Sequence, residues 1–178
     1  MPKIITSRRL ESEYEKAREY IHAYILFPSS LLGLIFMVAG MAALVYQFMV
    51  ISYSGQVFAE TFGLLLAGAM LGWGQTRYQQ YVLHEHPGYF ASRMRLFSKV
   101  GQKRIRKDSP MPPLEHRGRA FVPILYLLGA GSLLGASMWI SMYGQTYYIA
   151  AFLMPWVGLF WAKTFFWRRL LTEGKSKK

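Results

Sequence analysis

The chain has no cysteine, which excludes a disulfide, a thiolate-held metal and a catalytic thiol. Acids are scarce too: 9 Asp and Glu stand against 21 Lys and Arg, a formal net charge of +12. The most consequential absence is local. No Asp, Glu, Lys or Arg occurs between Ala23 and Ala59, and none between Ala120 and Ala162. A helix needs roughly 20 apolar residues to cross a hydrocarbon core of about 30 Å. Each charge-free run is long enough for a helix, a tight turn and a return. The sequence therefore predicts an all-α integral membrane protein with four transmembrane helices arranged as two hairpins.

Five segments follow from this pattern. Residues 1–23 form a cytoplasmic amphipathic segment, 24–76 a first hairpin and 77–119 a basic connection. A second hairpin covers 120–167, and a basic tail covers 168–178. The spans are expected near 25–50, 57–76, 121–142 and 147–167, with turns at Ser52-Tyr53-Ser54-Gly55-Gln56 and Tyr143-Gly144-Gln145-Thr146. Pro28 and Pro123 fall where a first helical turn tolerates proline, Pro155 inside the fourth span is a potential kink, and Pro87-Gly88 is read as a helix stop. The apolar run begins too late and runs too long for a cleavable signal, and Glu11, Glu13 and Glu15 precede it. Within residues 7–23, Leu10, Tyr14, Ala17 and Ile21 make one stripe, suited to a membrane, a partner or a solvated extension of the first span. Phe27-Pro28-Ser29-Ser30-Leu31-Leu32-Gly33 resembles Val122-Pro123-Ile124-Leu125-Tyr126-Leu127-Leu128-Gly129, a hint of a parallel repeat.

Charge also sets the expected orientation. The hairpin turns carry no Lys or Arg, whereas the tails and the 77–119 connection carry every one except Lys163. Positive charge stays on the cytoplasmic side, so both termini and the long connection are expected inside a cell (inner) membrane. Trp167, and Tyr143, Tyr147 and Tyr148 at the turn, are expected as interfacial belt residues.

Few residues in this sequence can carry chemistry. Glu60 is the one acid within a predicted span, a candidate proton or ion carrier and equally a snorkelling carboxylate near a span end. His84 and His86, with His116, are the one clustered set of metal-capable side chains. On a helix, i and i+2 diverge, and histidines near a helix C-terminus interact well with its carbonyls without any metal. The stretch Ser92–Lys107 is basic with apolar residues at three-residue spacing. Its Arg93, Arg95, Lys99, Lys103, Arg104, Arg106 and Lys107 suit anionic lipid or an acidic protein surface. Nucleic acid is not expected, because the aromatic interleaving of a base-stacking platform is missing. Gly68/Gly72 and Gly131/Gly135 are small-residue pairs at four-residue spacing, expected to pack on neighbouring helices.

No phosphate loop, histidine box or nucleophile–base pair is present. The expectation is a non-catalytic accessory or assembly subunit of a larger membrane complex, energy-transducing complexes included. Other membrane subunits and anionic lipids are the expected partners. No cofactor is expected, although bound lipids are; the aromatic fourth span faces lipid by default and also suits a pigment or quinone, with haem contact left open. The alternatives are a small oligomeric transporter or channel using Glu60, and a membrane enzyme with a histidine site on the cytoplasmic face.

Overall fold

The structure is a computed structural model that describes residues 14–50, 54–98 and 121–173. Of these, 95% are helical and none lies in a strand. Five helices result: α1 (Tyr14–Val50), α2 (Gly55–Glu85), α3 (Pro87–Ser98), α4 (Phe121–Tyr143) and α5 (Tyr148–Glu173). All but α3 are long and apolar enough to cross a membrane, so the chain is a multi-pass helical membrane protein.

The amphipathic segment and the first span are one helix. Pro28 therefore lies in a helix interior, where it cannot donate to the carbonyl four residues back. The chain widens just before it into a π turn over His22–Leu26, with the Phe27 N–H donating to the His22 carbonyl five residues away. At the other boundary, α2 stops at Glu85 with His86 as its cap (φ −133°, ψ 61°). Pro87-Gly88 starts a helix rather than opening a loop: Pro87 is the first residue of α3, where its missing N–H costs nothing.

The centre of the bundle is α5. It packs most closely on α2, next on α1, and more sparsely on α4. Glycine makes the α2–α5 approach possible. A Cβ on Gly68 would run into the Pro155 carbonyl, one on Gly72 into the Leu159 carbonyl, and one on Gly158 into the Leu65 carbonyl. Small-residue packing of this kind replaces the hydrophobic drive that lipid removes. The face of α1 toward the bundle repeats at heptad spacing: Ser29, Gly40, Ala43 and Gln47 are buried along it. Leu64, Ala151 and Met154 form the mid-bundle core, with Leu44, Ala136 and Ile140 bringing in α1 and α4. Helix hydroxyls turn back on their own carbonyls, Thr61 to Val57 and Thr76 to Gly72, which keeps them satisfied without water.

One end of the bundle is closed by a second core of Ala17, Tyr20, Ile21, Leu26, Val82, Leu83, Phe90 and Trp167. Ala17 and Ile21 of the amphipathic stripe thus fold onto the chain's own helices, while Leu10 lies outside the described residues. Trp167, expected in an interfacial belt, is fully buried there. Its indole N–H donates to the Gln79 side-chain oxygen at 3.3 Å.

Candidate functional site

The other end of the bundle holds the polar constellation around Glu60. The short α4–α5 turn leaves backbone N–H groups that no helix satisfies. Glu60 Oε2 accepts from the Gln145 N–H (3.0 Å), the Thr146 N–H (3.1 Å) and the Thr146 hydroxyl (2.7 Å). Its Oε1 accepts from the Gln56 amide at 2.8 Å, one turn earlier on α2. A Cβ on Gly144 would press against the same carboxylate at 2.6 Å, so glycine is what lets the turn come this close.

Gln47 of α1 holds the turn from the other side. Its amide donates to the Gln145 carbonyl (2.8 Å) and its oxygen accepts from the Tyr147 N–H (2.9 Å). Ser54, the cap of α2, donates to the Gln145 side-chain oxygen at 2.6 Å. Gln47 is 0% exposed and Thr146 5%. The arrangement is a clasp in which side chains of α1 and α2 grip the turn between α4 and α5. Chemically it does what a helix cap does, with charge-assisted bonds. Both oxygens of Glu60 are occupied by donors of the protein, and an incoming cation would have to displace them. Lys163 stands 15 residues along α5 from Tyr148, about 22 Å away at helical rise, and does not share this site.

Glu60 was legible in the sequence as a lone intramembrane acid. Gln47 carries no charge to mark it, yet an amide inside a charge-free run costs enough to bury that it flags a hydrogen-bonded role. Gln145 and Thr146 read only as turn residues.

The histidines do not converge. His84 is exposed in the last turn of α2 and His86 is the half-buried cap that follows. No group of three metal-capable side chains occurs among the described residues. His116 lies outside them, as do Lys99, Lys103, Arg104, Arg106 and Lys107. Arg93 and Arg95 lie on α3, whose helix starts earlier than the basic pattern suggested. The two glycine pairs part company. Gly68 and Gly72 carry the α2–α5 contact, whereas Gly131 and Gly135 are exposed, with nothing within 4 Å of where a side chain would begin.

A cleft of about 570 Å³ opens beside the aromatic core. Its walls come from four helices: Tyr20 and Ile25 of α1, Tyr78 and Gln79 of α2, Tyr89 and Arg93 of α3, and Pro123 and Tyr126 of α4. Two smaller apolar crevices flank α5, one near Met37 and Met154 (about 320 Å³), the other near Met70 and Phe165 (about 360 Å³). No family model, curated protein or solved structure matches this chain.

Proposed function

We propose that this protein is a non-catalytic accessory or assembly subunit of a larger membrane complex, oriented with both termini and the 77–119 connection in the cytoplasm. The observation that carries the reading is the outward face of α4. Gly131 and Gly135 have the spacing that lets helices approach closely, yet open space lies over both. The comparable glycines of α2 and α5 are filled to backbone contact. A partner helix laid along α4 would find the same kind of surface that α5 finds on α2. The basic stretch beyond Arg93 would dock on acidic protein or anionic lipid nearby. The occupied state of Glu60 gives the transport reading no comparable support.

Extraction from native membranes in a mild detergent, followed by native gels and mass spectrometry of co-migrating chains, tests the proposal. Co-migration in a stoichiometric assembly is expected. The double substitution Gly131→Ile with Gly135→Ile should release the protein from that assembly while leaving its own thermal unfolding nearly unchanged. Migration of the unaltered protein as a monomer would overturn the reading.

A further inference from the structure

We infer that the cleft between α1, α2, α3 and α4 is a binding site for an anionic phospholipid, whose phosphate meets Arg93 and whose acyl chain leaves along the start of α4. This inference does not depend on the assembly reading.

The charge inventory of the cleft selects the headgroup. Among the described residues, Arg93 is the one charged group that lines it, and no Asp or Glu does. The guanidinium lies 4.8 Å from the centre of the Tyr89 ring, which fixes its position without neutralising it. Among the described residues no carboxylate is within ion-pair distance of it. The Gln79 side-chain oxygen accepts from the Trp167 indole at 3.3 Å, and its amide nitrogen adds N–H donors to the lining. A cation beside amide donors, with no acid among the described lining residues, is complementary to a phosphate.

Position and lining select a lipid over a soluble anion. Helix α4 has 23 residues, about 35 Å at helical rise, scarcely longer than the hydrocarbon is thick. Its first turn therefore lies at the headgroup boundary, and that turn supplies Val122 and Pro123 to the cleft. Ile25 faces them from α1. An apolar wall running into the bilayer beside a cationic rim fits an amphiphile, and the volume is that of a ligand site. The π turn over His22–Leu26 borders the same cleft through Ile25, and such turns recur at functional sites.

The test is native mass spectrometry of delipidated protein in a neutral detergent, titrated with phosphatidylglycerol, phosphatidylcholine or glycerol phosphate. One phosphatidylglycerol should bind in preference to phosphatidylcholine. Arg93→Gln should weaken it by at least about tenfold, the scale of one charge-assisted bond. Arg93→Lys should retain most of the binding, and Arg169→Gln, exposed outside the cleft, all of it. Val122→Phe narrows the cleft without touching Arg93 and should also weaken binding. Equal binding of the two lipids, or of Arg93→Gln and the unaltered protein, would overturn the inference. Competition by glycerol phosphate as strong as by the lipid would overturn the lipid assignment in favour of a soluble phosphate.

Discussion

Replacing Glu60 by alanine removes the acceptor shared by Gln145, Thr146 and Gln56. The donors are not equally affected. Gln145 and Gln56 are exposed, and water takes over there at small cost. Thr146 is buried, so its N–H is left without a partner, at about 1–3 kcal/mol, and its hydroxyl loses a charge-assisted bond. The sum is about 2–3 kcal/mol. At roughly 2–4 °C per kcal/mol for a chain of this size, unfolding followed by tryptophan fluorescence in dodecyl maltoside should shift down by about 5–10 °C. Glu60→Gln keeps one oxygen for the Thr146 N–H and should lose less, about 1 kcal/mol. Thr146→Val combined with Glu60→Ala should be clearly less than additive, since both break the same bond. An alanine variant that unfolds at the original temperature, with Glu60→Gln abolishing ion flux in proteoliposomes, would refute the clasp and place Glu60 on a conduction path.

Two further substitutions probe the packing. Gly68→Ala places a methyl against the Pro155 carbonyl, backbone on backbone, and should cost at least about 3 kcal/mol or prevent folding, whereas Gly131→Ala should stay within about 0.5 kcal/mol; detergent unfolding compares the two. Trp167→Ala empties the centre of the aromatic core and should cost about 3–5 kcal/mol, with hydrogen exchange rising first in residues 14–26 and 87–93.

The spans were readable because hydrocarbon tolerates so little charge: the silent runs at Ala23–Ala59 and Ala120–Ala162 mark helices whatever their partners. The turn at Gly144–Thr146 was readable for the same reason. Which helix lies at the centre was not. The fourth span is apolar on every side, so periodicity gives no inward face, and its role rests on Gly158 meeting Leu65 on a helix about 90 residues earlier. Trp167 looked interfacial because nothing local signals that Ala17, Ile21 and Phe90 fold over it. The π turn follows from Pro28 only once the helix is known to begin at Tyr14, well before the apolar run. Arg93 stood out as one basic residue among many; the tyrosines around it come from four separate helices.

The two ends of the bundle are closed by different chemistry, and α4 depends on both. At the clasp end its final turn is gripped through the backbone of Gln145 and Thr146, so its position there is set by hydrogen bonds from α1 and α2. Toward the other end it meets α2 through Gly129 against Leu71 and Tyr126 edge-on to Tyr78, while the cleft separates its first turn from α3. Its hydroxyls Ser137 and Ser141 are buried with no hydrogen-bond partner among the described residues. The proposed lipid site and the proposed partner face thus lie on one helix, the cleft at its first turn and Gly131 and Gly135 under open space farther along it.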